Sequence, residues 1–106
     1  MAEPAQDALL YRCLSNPVRL AALKHLAKAG ELSVGDLSEA VGAEQSQMSH
    51  ALAEMAACNL VAARREGKRI HYRITIPHLP EALDLMAGVA AHIGCIDENA
   101  CKECCP

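Results

Sequence analysis

The chain is 106 residues long, which gives room for one domain with a modest core. It is 52% apolar but only 2% aromatic, with no Phe or Trp, and such a core suits packed helices better than a β-sandwich. Net charge is −3, which taken alone argues against a nucleic-acid partner. No apolar run approaches the roughly 18–20 residues needed to cross a membrane, so no membrane partner is expected. The opening Met-Ala-Glu-Pro-Ala-Gln-Asp lacks a basic stretch followed by an apolar one. No secretory signal is therefore expected, and the expected location is the cytoplasm, where thiols stay reduced.

A first helix is expected over about residues 5–14, with Ala5, Ala8, Leu9 and Cys13 on one face. Asn16-Pro17 restarts a helix, since Asn caps well and Pro is tolerated at the first helical position. That second helix runs to about Ala29 and stops at Gly30. Ser33-Val34-Gly35-Asp36 has the shape of a capping box and opens a short helix ending at Gly42. A fourth helix spans about Glu44 to Cys58. Its Met48, Leu52 and Met55 make one buried stripe, and its outer face carries Gln45, Ser46, Gln47, Ser49 and His50. Two helices joined by a short Gly-containing turn, the second polar outside, satisfy a helix-turn-helix.

The period then changes to two. Val61, Ala63, Ile70, Tyr72 and Ile74 alternate with Arg64, Arg69, His71 and Arg73, and Glu66-Gly67-Lys68 supplies the reversal. The result is a basic two-stranded hairpin, a wing. Five of the ten Lys and Arg (Arg64, Arg65, Lys68, Arg69 and Arg73) fall in this stretch beside a single acid, Glu66. Local field rather than total charge decides where a phosphate backbone docks, so the wing restores a nucleic-acid reading. A last helix is expected over about His78 to Gly94. Its stripe of Leu79, Leu83, Met86, Val89, Ala90 and Ile93 is more than one small chain can bury, which points to a helical homodimer interface.

Four stretches carry a resemblance to the ArsR/SmtB family of metal-responsive bacterial repressors: Leu14 to Leu20, Gly30 to Leu37, Gln45 to Leu52 and Ala63 to Arg69. The resemblance implies a mainly α winged helix-turn-helix fold with a small β-hairpin, in the order four helices, two strands, one helix. It also implies a homodimer joined through the first and last helices, and an operator released when an inducer binds. The fourth helix would then enter the major groove of double-stranded operator DNA. Gln45 and Gln47 can pair with adenine, Ser46 and Ser49 can contact base or phosphate, and His50 lies on the same face. Arg64, Arg65, Lys68 and Arg69 would grip phosphate or reach the minor groove. Two-fold symmetry predicts an inverted-repeat operator. Neither a phosphate-cradling Gly loop nor an evident general base is present, and no enzyme activity is expected.

Six cysteines are a heavy load for a reduced compartment. Cys95, Cys101, Cys104 and Cys105 crowd a tail over residues 95–106, beyond a DNA-binding and dimerisation domain over residues 1–94. Thiolates so close together suit a soft ion: As(III) through three sulfurs, or Cd(II), Pb(II) or Zn(II) through up to four. Redox or reactive-sulfur sensing by cysteine bridging, a structural zinc knot, and a tail without signalling duty are the other readings. Cys13 and Cys58 are expected to be buried small hydrophobes.

The family's known metal positions match this chain in part. Ser33 and Gly35 stand where one class has cysteine. Leu79 and Glu81 stand where a second has ligands ahead of a pair like His92 and Cys95. Cys58 matches one of two helix cysteines in a third class, with Glu54 at the other position. Thiols at the end of the last helix, as in some arsenite-sensing relatives, come nearest to the pattern here.

Overall fold

A computed structural model describes residues 6–93; the expected boundary at residue 94 and the four tail cysteines lie outside the described residues. Eight elements follow one another. They are α1 (Gln6–Leu14), α2 (Pro17–Ala29), β1 (Glu31–Ser33), α3 (Val34–Val41), α4 (Gln45–Ala57), β2 (Val61–Glu66), β3 (Arg69–Ile74) and α5 (Leu79–Ala90). Among the described residues, no helix is long and apolar enough to cross a membrane.

Local chemistry sets most boundaries. The Asn16 side chain accepts from the backbone N–H groups of Val18 (2.9 Å) and Arg19 (3.2 Å), satisfying two donors that the first turn of α2 would leave unpaired. Gly42, at φ 79°, ends α3 in the left-handed conformation that glycine adopts without strain. Ser33 Oγ accepts from the Asp36 N–H at 3.1 Å, the capping interaction expected there. At the hairpin, Gly67 has φ 61° and Lys68 has no positive φ, the pattern of a type II′ turn with glycine first.

The sheet is larger than the expected hairpin. β1 pairs antiparallel with β3, Leu32 opposite Tyr72, giving three strands in the order β1-β3-β2. Three residues have no periodicity of their own, and β1 is a strand because β3 lies beside it. The first helix also turns a different face inward. Cys13 is buried and Leu10 and Leu14 pack on the core, a 3–4 spacing, while Ala8 and Leu9 stand exposed. The last helix ends at Ala90, earlier than the apolar pattern predicted, and two turn hydrogen bonds follow it at His92 and Ile93.

Leu23, Leu26, Leu37, Met48, Leu52 and Met55 form the fully buried centre, drawn from α2, α3 and α4. Leu60, Val61, Tyr72, Leu79 and Leu83 close it from the root of the wing and the start of α5. Beyond that root the wing leaves the core, and Ala63 and Ile70 are exposed. On α5, Leu85 (72% exposed), Met86, Val89 and the following Ile93 are also uncovered. Because Leu52 has no solvent contact, Leu52→Ala is expected to lower unfolding free energy by about 2–5 kcal/mol in a urea titration at fixed protein concentration. A loss under about 1 kcal/mol would contradict this packing.

Candidate nucleic-acid interface

The outward face of α4 carries Gln45, Ser46, Gln47, Ser49 and His50, all exposed, because Met48, Ala51, Leu52 and Met55 are held inside. Glu44 occupies the N-cap position but makes no side-chain capping hydrogen bond. The first N–H groups of α4 therefore lack that partner and point outward with the positive end of the helix dipole.

The wing curls back toward this helix. Gln45 and Ser49 line one side of a cleft of about 400 Å3, Lys68, Arg69 and Ile70 line another, and the start of α3 forms its floor. Residues far apart in sequence, on the fourth helix and the hairpin tip, thus share one concave surface. Asp36 and Glu39 of α3 also line it. They bring negative charge to the same cleft, a placement that depends on how α3 packs beside α4 and that no local sequence pattern marks.

Arg64 differs from its basic neighbours. Its Nε donates to Glu31 on β1 at 3.2 Å and its Nη1 donates to Glu66 at 3.1 Å. A carboxylate on either side satisfies this guanidinium and holds it more firmly protonated than usual. Among the described residues, Arg65, Lys68 and Arg69 make no such ion pair. His50 Nε2 lies 2.7 Å from Glu54, one turn further along α4, and Glu54 also binds Arg19 of α2. The His50–Glu54 pair was readable from helical spacing; the Arg19–Glu54 and Arg64–Glu31 pairs depend on tertiary packing.

The cysteines divide. Cys13 is buried as expected, but Cys58 is exposed, because it caps the C-terminal end of α4 rather than sitting on its packed face. Among the described residues, no three His, Cys, Asp or Glu side chains stand close enough to hold a metal ion.

The hydrogen bond from Arg64 lowers the Glu31 carboxyl below its ordinary value. Pairing therefore favours the folded sheet at neutral pH, and that contribution is lost as pH falls through the lowered Glu31 value. In an NMR titration of the side-chain carboxyls, Glu31 should titrate below the usual glutamate range and return to it in Arg64→Ala. An unchanged midpoint in the variant would contradict the assignment.

Known proteins share this architecture. The model of the arsR family of bacterial regulatory proteins matches residues 16–63. The HTH-type transcriptional regulator NmtR of Mycobacterium tuberculosis is 36% identical over 97 residues, covering 90% of this chain and 80% of the relative. The crystal structure of the antimony-specific transcriptional repressor AntR superposes with a TM-score of 0.74 at 35% identity, covering 81% of this chain and 78% of that one. The homodimeric winged helix-turn-helix DNA-binding domain Mb0332 of Mycobacterium bovis superposes with a TM-score of 0.67 at 33% identity, covering 86% and 91%. With the α3–α4 pair, the basic wing and these relatives in agreement, the chain belongs to the ArsR family of bacterial regulatory proteins and is a winged helix-turn-helix, DNA-binding transcriptional repressor rather than an enzyme.

Proposed function

We propose that this repressor binds an inverted-repeat operator as a homodimer in the cytoplasm, and that a thiol-binding inducer captured by its tail releases it. The observation that carries the DNA reading is the cleft shared by α4 and the wing. Gln45, Ser46, Gln47, Ser49 and His50 enter the major groove, where the amides read adenine edges and the uncapped start of α4 faces a phosphate. Arg65, Lys68 and Arg69 follow the backbone or the minor groove. Arg64 belongs to the same basic surface, but its two carboxylate partners suit it to bracing the wing.

Dimerisation is supported by an apolar groove of about 400 Å3 between α1, α2 and α5. Leu10, Tyr11 and Leu14 face Leu79, Leu83, Met86 and Ala90 across it. Leu9 of α1 and Leu85 and Val89 of α5 are further exposed apolar side chains on two of these helices. A monomer leaving this much apolar area in water gains by pairing. The homodimeric Mb0332 domain has the same fold.

The inducer reading rests on donor chemistry. Cys95, Cys101, Cys104 and Cys105 supply four thiols in residues 95–106. Soft thiolates select As(III), Cd(II), Pb(II) or Zn(II) over hard cations, and arsenite needs only three sulfurs. AntR, of the same fold, is an antimony-specific repressor, and antimony is likewise thiophilic. Asp97, Glu98 and Glu103 would attract a cation but give neutral arsenous acid no help. Capture beside α5 would bias the angle between subunits, provided the inducer binds the DNA-incompetent arrangement more tightly.

The test is a titration of the full-length protein with a duplex that it selects from a random pool, with and without arsenite, cadmium and a disulfide oxidant. Arsenite or cadmium should weaken binding about tenfold or more. Changing Cys95, Cys101, Cys104 and Cys105 to Ser should abolish that response and leave inducer-free binding intact. Release that persists in the variant would overturn the tail as sensor. Response to the oxidant alone would replace metal capture by cysteine bridging.

A further inference from the structure

Two cysteines stand apart from the proposed tail, and the fold brings them together. Cys13 lies on the last turn of α1, and Cys58 caps the far end of α4. Cys13 is buried at 7% exposure, whereas Cys58 is open to solvent. Cys58 lies near enough to push the Cys13 thiol up further, and both cysteines adjoin the Arg19–Glu54 pair, Arg19 touching Cys13 and Cys58 following Glu54 by one helical turn.

Arg19 organises the pair. Its Nη1 donates to Cys13 Sγ at 3.7 Å, and its Nη2 donates to the Glu54 carboxylate. Glu54 is one helical turn before Cys58, so both project from the same strip of α4. One guanidinium on α2 thereby fixes the end of α1 against the end of α4. Burial pushes the Cys13 thiol up, and the Arg19 charge pulls against it. The Cys58 N–H is shared between the carbonyls of Glu54 (3.3 Å) and Met55 (3.2 Å), the loosened geometry of a final turn. A disulfide needs its Cα atoms within about 7 Å, and a helix end adjusts to that more readily than a helix interior.

We propose that Cys13 and Cys58 are a redox-active pair that closes to a disulfide within one chain, tying the C-terminal ends of α1 and α4 together. The oxidant is a small disulfide. The exposed Cys58 thiolate attacks one of its sulfurs, expels the other half as a thiol, and becomes a mixed disulfide. Cys13 then gives up its proton, attacks Cys58 Sγ and expels the second half of the small disulfide, which leaves as a thiol after taking up a proton. The two protein thiols give up two electrons and two protons, and the small disulfide takes them up as two thiols. No tail cysteine takes part.

The experiment uses the full-length protein with Cys95, Cys101, Cys104 and Cys105 changed to Ser, so that Cys13 and Cys58 are its only thiols. It is equilibrated with reduced and oxidised glutathione at graded ratios, then denatured, its thiols counted and its peptides mapped. Both thiols should disappear together, with one cross-linked peptide joining Cys13 to Cys58 inside a single chain, and reductant should restore them. A further Cys58→Ser change, at an exposed position that the fold tolerates, should leave the buried Cys13 thiol free under the same conditions. The pair is overturned if Cys58 stops as a mixed disulfide, if links form between chains, or if Cys13 is oxidised without Cys58.

Discussion

Met48, Leu52 and Met55 on the inner face of α4 meet Leu23, Leu26 and Leu37 of α2 and α3 in a contact with almost no solvent. The orientation of α4, the helix proposed to face DNA, follows from this knot. Without Phe or Trp, the chain fills the space with branched and thioether side chains, and the two methionines adapt to gaps that leucine would leave. Interiors packed to crystal density resist rotation of a helix about its axis. The polar outer face of α4 is thereby held at a fixed angle to the wing, whose root enters the same core through Val61 and Tyr72.

Electrostatics then determine which basic residues are free to act. At physiological salt, charges further apart than about 8 Å are largely screened, so the overall −3 matters less than the acids nearest the cleft. Glu31 and Glu66 engage Arg64, and Asp36 and Glu39 share the cleft with Lys68 and Arg69. The surface proposed to face DNA is thus a balance of opposite charges rather than a uniform basic field. Sensitivity of binding to ionic strength is the physical consequence.

Helices and hairpin were legible because their signals are local. Asn16-Pro17, Ser33, Gly42 and the shift from 3.6- to 2-residue periodicity at Val61 each act within one turn of chain. β1 was not legible, since three residues become a strand only beside β3. The inward face of α1 was misjudged for a related reason: Leu9, Leu10, Cys13 and Leu14 offer two overlapping stripes, and contact with α2 selects one. Cys58 follows the same rule. Its composition suggested burial, but its place at a helix end exposes it. Within the candidate interface, the α4 residues were readable from helical spacing, whereas the bracing of Arg64 by Glu31 needed the third strand.

Two-fold symmetry, in the proposed homodimer, would join the two ends of the molecule. An apolar surface over α1 and α5 would pair two chains, and pairing would set two α4 helices at a fixed separation along a duplex. Methylation interference at guanine N7, an atom in the major groove, tests this geometry on a selected operator. Two interfering clusters are expected, related by an inverted repeat and spaced about 10 bp, or a multiple of that, on one face of the DNA. A single cluster, or no interference in the major groove, would contradict it.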